Sequence, residues 1–299
     1  MADEKPGLAG ETYRFEVLGP MRIERDGDAV TPPRSPILRG ILGALLVAGS
    51  RPLTAARLVD LVWEDRDERV APGAVQVAVS RLRGWLRRTG PAGESSWTLA
   101  HDGNGYRLLV PDGAVDLCRF RASVKRAAAC EAERICLLKS ALTLWRGPVL
   151  ADSGAVDLTD PLFRAVDDEV QATAMALADA ALQAGRPTGV IDLLSALAEA
   201  YPLHEGIEGR MLELLAHDGR AAEALARYRV FHDRVVEELG VEPGERVHRA
   251  YLSALSRDHE RPPVPDTAAA GSAVPVPAQL PPDVSDFVGR SEQVATLSR

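Results

Sequence analysis

The stretch PGAVQVAVSRLRGWLRR, from Pro72 to Arg88, decides how the rest of the chain is read. On a helix of 3.6 residues per turn, Val75, Ala78, Val79, Leu82, Trp85 and Leu86 share one arc, wide enough to be held by a core. Gln76, Val77, Ser80, Arg81, Arg83, Gly84, Arg87 and Arg88 share the other. That outer arc carries four guanidinium groups and no carboxylate, together with an amide, a hydroxyl and a small apolar side chain. Such groups touch phosphates, base edges and thymine methyls. A basic helix that is merely solvated mixes its signs, placing Glu or Asp three or four residues from Arg, and this one does not.

The 299 residues suffice for two compact domains and a tail. With 46% hydrophobic and 26% charged residues the composition is that of a soluble protein, and no apolar run approaches the roughly 20 residues of a membrane span. Met1 to Gly10 is polar and acidic, unlike a secretory signal, so a cytoplasmic location and no membrane partner are expected. Cys118, Cys130 and Cys136 are irregularly spaced in helical sequence, which predicts buried free thiols and neither a disulfide framework nor a zinc site. The net charge of -8 argues against a nucleic-acid partner until it is resolved along the chain. Residues 1–115 hold 15 basic and 15 acidic side chains, whereas residues 116–260 hold 17 and 24. The acidity belongs to the second half, and the positive charge of the first gathers on one helix.

Residues 1–12 read as a disordered leader. Tyr13 to Leu18 alternates as a half-buried strand, Met21 to Glu24 as a second, and the turn Arg25-Asp26-Gly27-Asp28 leads into a third at Ala29 to Thr31. Ser35-Pro36 starts a helix with Ser at the N-cap, and Thr54 caps a second that runs to Trp63. An acidic loop, Glu64 to Glu68, precedes the basic helix, and Pro91 to Ser96 connects that helix to the next strands. Three helices in this order form a helix-turn-helix arrangement whose last member enters the major groove. Trp97 to Leu99 and Tyr106 to Val110 then form a β-hairpin, a wing, with Trp97 and Tyr106 packed inward.

The VSRLR core of the third helix (Val79 to Arg83), the GNGYRL hairpin (Gly103 to Leu108) and the preceding sheet resemble the OmpR-type winged-helix domain. More narrowly, with FEVLGP at Phe15 to Pro20, they resemble the Streptomyces antibiotic regulatory protein family. One departure concerns the wing, which often carries Arg before its first Gly. Here Asp102 stands there, leaving His101, Asn104 and Arg107 as the candidates for groove or phosphate contact.

From Val115 onward the pattern is helical, in seven segments: Leu117 to Ala129, Glu131 to Trp145, Pro161 to Gly185, Pro187 to Tyr201, Leu203 to His217, Gly219 to Leu239 and Gly244 to Arg257. Gly185-Arg186 recurs as Gly219-Arg220, with Ile191 and Leu194 mapping onto Leu225 and Tyr228, a tetratricopeptide-like offset of 34 residues. LWRG (Leu144 to Gly147), YPLHE (Tyr201 to Glu205), DGRAAEAL (Asp218 to Leu225) and ELGVEPG (Glu238 to Gly244) resemble the bacterial transcriptional activator domain of the same family. The expected fold class is an N-terminal α+β OmpR-type winged helix-turn-helix over residues 13–112, followed by an all-α tetratricopeptide-like bacterial transcriptional activator domain over 113–260. A Pro/Ala-rich linker is expected at 261–285. DFVGR, Asp286 to Arg290, resembles the entry to the nucleotide-binding module of signalling ATPases, placed at 286–299 and cut short. No G-x-x-x-x-G-K-[ST] loop occurs, so no cofactor is expected in this chain, although ATP would suit a larger parent protein.

No H-E-x-x-H pattern, no His/Cys set at ligand spacing and no G-x-S-x-G elbow are present, so neither a catalytic nor a metal site is expected. Arg81, Arg83, Arg87 and Arg88 would divide between phosphates and guanine edges, with Gln76 and Ser80 toward bases and Val77 toward a methyl group. Arg34 and Arg39 read as phosphate clamps or simply as solvated cations, and Thr54 as a clamp helped by helix N-terminal amides. The resemblance implies an activator of antibiotic genes that binds double-stranded promoter DNA. Two protomers would lie on tandem direct repeats near the −35 element and contact RNA polymerase and its sigma factor. The alternative is a tetratricopeptide-type adaptor whose winged domain does not read DNA.

Overall fold

In the computed structural model, described over residues 13–63, 73–90, 97–154 and 156–260, the chain opens with a three-stranded antiparallel sheet. Strands β1 (Tyr13–Glu16), β2 (Arg22–Arg25) and β3 (Asp28–Ala29) pair in sequence order, with Phe15 opposite Ile23. The β2–β3 turn takes positive φ at both Asp26 (+52°) and Gly27 (+91°), the primed geometry whose twist suits a hairpin. β3 is shorter than the alternation predicts. The expected leader, acidic loop, helix-to-hairpin connection, linker and ATPase entry lie outside the described residues.

Helix α1 (Pro36–Ala48) is the axis of the N-terminal half, with every residue from Gly40 to Ala48 buried. Pro36 opens it as read, but Ser35 makes no side-chain capping bond, so the fixed φ of proline sets this start. Helix α2 (Ala55–Val62) is capped by Thr54, whose hydroxyl accepts from the Arg57 amide at 3.1 Å. Helix α3 (Ala74–Thr89) starts later than the pattern implies, because Gly73 takes a left-handed φ of +94° at the N-cap. Strands β4 (Thr98–His101) and β5 (Tyr106–Leu109) form the second hairpin. Trp97 beside it packs on Tyr13 and Phe15, with ring centroids 4.5 and 4.9 Å away.

The second half is helical: α4 (Asp116–Ala129), α5 (Arg134–Leu142), α6 (Pro161–Gln183), α7 (Ile191–Ala200), α8 (Glu205–His217), α9 (Ala221–Leu239) and α10 (Glu245–Glu260). The segment read as one helix from Glu131 to Trp145 is a turn of 3-10 helix followed by the shorter α5. The 34-residue repeat is visible as two identical helix ends. Gly185 and Gly219 take φ of +62° and +78°, and the next amides, Arg186 and Arg220, each return to the carbonyl five residues back at 2.9 Å. This is the Schellman closure that only a residue tolerant of positive φ makes cheaply. His204 caps α8 through Nδ1, while the neighbouring Glu205 carboxylate accepts the Gly244 amide at the start of α10. The three cysteines are free as expected, but Cys136 is exposed and the other two only half-buried. Among the described residues no helix is long and apolar enough to cross a membrane.

Candidate nucleic-acid interface

Helix α3 divides as its sequence demands. Val75, Ala78, Val79, Leu82 and Leu86 are buried and Trp85 is half-buried, while Gln76, Val77, Ser80, Arg81, Arg87 and Arg88 are exposed. Val77 holds 52% of its surface in solvent, an exposed apolar side chain on an otherwise polar arc. Among the described residues, Arg81, Arg87 and Arg88 make no ion pair, so none of those residues compensates their charge on the outer arc.

Arg83 differs from its three neighbours. Its Nε and Nη2 donate to the Leu99 carbonyl at 3.2 and 3.0 Å, bracing α3 against strand β4. The helical wheel places this residue on the outer arc, but a wheel cannot show a neighbouring hairpin. At the hairpin, Arg107 lies 2.8 Å from Asp102, so the acid that departs from the usual pattern neutralises the one arginine beside it. His101 and Asn104 are exposed, the His101 ring lies tilted against Tyr106 with centroids 4.6 Å apart, and the Asn104 amide donates to Asp102.

The hairpin is seated on the α1–α2 turn. Leu53 and Tyr106 exchange backbone hydrogen bonds at 2.8 Å each, and Gly105 rests so closely on the Leu53–Thr54 peptide that no Cβ fits there. With φ at +148°, Gly105 meets both a conformational and a steric requirement for glycine. The exposed arc of α3, the hairpin and the amide end of α2 at Thr54 are thereby joined by specific bonds. Arg34 is exposed just ahead of α1. Arg39 instead points toward the helical half, 3.8 Å from Asp152. Arg51, exposed in the α1–α2 turn two residues before Leu53, is a cation that sequence reading passes over. Its signal was the short Arg-Pro-Leu-Thr run ahead of a capped helix.

Residues 115–255 match the bacterial transcriptional activator domain family. The chain is 33% identical to the regulatory protein AfsR of Streptomyces coelicolor over 309 residues, covering 98% of this chain and 30% of that protein. It is 31% identical to the transcriptional regulatory protein MoaR1 of Mycobacterium tuberculosis, covering 81% of this chain and 79% of that one. A solved structure of Mycobacterium tuberculosis EmbR, in complex with a low affinity phosphopeptide, matches with a TM-score of 0.63 at 29% identity over 83% of this chain and 66% of that chain. The EmbR structure fits a small sheet with helices followed by a helical activator region, and the chain belongs to the Streptomyces antibiotic regulatory protein family of bacterial transcriptional regulators.

Proposed function

We infer that this chain is a sequence-specific activator that binds promoter DNA through a winged helix-turn-helix of OmpR type, with α3 in the major groove. The observation that carries this reading is the exposed arc of α3, where Arg81, Arg87 and Arg88 stand without carboxylate partners among the described residues. Guanidinium groups left open in this way supply phosphate contacts and bidentate recognition of guanine, while Gln76, Ser80 and Val77 have the chemistry for adenine edges and thymine methyls. The hairpin acts as the wing, offering His101 and Asn104 rather than the paired Arg107, and the amide end of α2 at Thr54 accepts a phosphate. Arg34 is a flanking phosphate contact. The acidic helical half is repelled by phosphates and serves protein partners, RNA polymerase and its sigma factor or a second protomer on a tandem repeat.

The test is a titration against a duplex carrying two direct repeats, repeated at several salt concentrations and with the repeat spacing varied. Three or more phosphate contacts give a log–log salt slope of about −3 or steeper. Affinity should peak when the half-sites lie roughly one helical turn, about 10 base pairs, apart. Absent or salt-independent binding would overturn the reading and leave a protein-interaction adaptor.

A further inference from the structure

The two halves are joined by a seam more elaborate than a tether requires. Asp116, the first residue of α4, is only 1% exposed. Its carboxylate accepts the Val17 amide at 2.9 and 3.0 Å, the Leu18 amide at 3.0 Å and its own neighbour Leu117 at 2.8 Å. A buried carboxylate is tolerated only when its lone pairs are filled, and here two of the three donors belong to the N-terminal half. Burial pushes its pKa up, and those three amides, with Arg146, pull against it.

Further bonds continue the same line. The Val17 carbonyl accepts the Leu150 amide at 3.1 Å and the Leu18 carbonyl accepts the Arg146 amide at 2.8 Å. The Arg146 side chain lies 3.3 Å from Glu16 and donates to the Pro20 carbonyl at 3.0 Å. Asp152 accepts the Met21 amide at 2.8 Å. On α2, Arg57 pairs with Asp160, and the Leu61 carbonyl accepts the Asp157 amide. The seam also reaches α1. Leu150, fully buried with φ at +52°, sets its side chain against Gly43, where a Cβ would stand 2.6 Å from Cδ1. Helix α1 packs in turn on α3. An unbroken line of packed groups therefore runs from the helical half to the helix that carries the free arginines.

We propose that Asp116 and Leu150 are positioning residues that lock the N-terminal half to the helical half, so that the arginine arc of α3 and the partner surface of the helical half are held at one fixed angle. The lock itself does not depend on DNA binding. Its consequence, that a partner is presented in fixed geometry to bound DNA, rests on the function proposed above. Asp116→Asn replaces one acceptor oxygen with a donor facing amides that already donate, and Leu150→Ala removes the side chain seated on α1.

The test labels the whole chain with spin probes at Asp60→Cys and Glu238→Cys, both exposed and one in each half, in a background with the three native cysteines replaced by serine. A control pair at Asp60→Cys and Thr98→Cys lies within the N-terminal half. Without DNA, the cross-half distance distribution should be narrow in the parent and at least twice as broad in Asp116→Asn and in Leu150→Ala, while the control pair stays narrow. An unchanged cross-half distribution in a folded variant would overturn the proposal. Should Asp116→Asn fail to fold, Leu150→Ala decides by the same criterion. If the distances behave as expected but the parent binds no duplex, the DNA reading falls and the lock stands.

Discussion

Three arginines on the outer arc of α3 and three that sit between helices of the second half have opposite surroundings. Arg81, Arg87 and Arg88 face outward without carboxylates among the described residues. In the helical half Arg121 meets Glu169 through two bonds of 2.8 Å, Arg210 reaches Asp179 and Glu213, and Arg227 sits 2.7 Å from the buried Glu208. One side chain is thus used in two ways. Where an acid is within reach the guanidinium ties helices together, and where none is within reach among the described residues the charge stays open to solvent. Abundance of arginine therefore says little, and the position of acids around it says much.

The contrast is broken most directly by reversing charge on the open arc. Arg81→Glu with Arg87→Glu should lower duplex affinity roughly a hundredfold or more, with the melting temperature nearly unchanged, because neither side chain holds the fold. A competition titration alongside thermal unfolding would check both parts.

In the helical half the expected effect falls on stability. Arg227→Ala strands Glu208, which is 5% exposed, and should cost about 3 kcal/mol in urea unfolding while sparing the salt slope of DNA binding. This deficit should depend on pH. Burial lifts the Glu208 carboxyl above its ordinary 4.5, and Arg227 is the main group pulling it back. Without Arg227 the folded-state value rises further. A raised carboxyl contributes stability that is complete below its unfolded value and lost as pH climbs through its folded value. The deficit should therefore shrink near pH 4 and widen toward pH 8, when measured by unfolding at both.

The smallest effect sharpens the comparison within α3 itself. Arg83→Met removes the brace to Leu99 and should cost about 1 kcal/mol of stability without altering the salt slope. By contrast, Arg81→Met should flatten that slope by about 0.9 and leave stability alone. Equal salt behaviour of the two variants would erase the distinction between Arg83 and its neighbours.

Periodicity was enough to find α3, its buried arc and each helix of the second half, because a helix announces its face at three- and four-residue spacing. Contacts across the chain were not legible. LWRG and VLGP each stand out as segments, yet nothing local reveals that Arg146 bonds to the Leu18 carbonyl and fills the space beside Gly19. YPLHE and VEPG are likewise joined, through Glu205 and Gly244. Asp116 carries no local signal, because its donor at Val17 lies 99 residues away. The same distance effect explains Arg39, which reads as a phosphate clamp or a solvated cation and lies 3.8 Å from Asp152. Cys136 fails as a buried thiol because its side of α5 faces solvent. At the candidate interface the free arginines could be read from the wheel, and the engaged Arg83 and Arg107 could not, since both partners come from the hairpin.

Leu150 against Gly43 carries a constraint on how such chains can diverge. A Cβ at position 43 would meet the Leu150 Cδ atoms at 2.6 and 3.0 Å, so an alanine there requires the buried Leu150 side chain to shift. A change at either position, more than a hundred residues apart, is therefore expected to be felt at the other, as a key feels the notch cut for it.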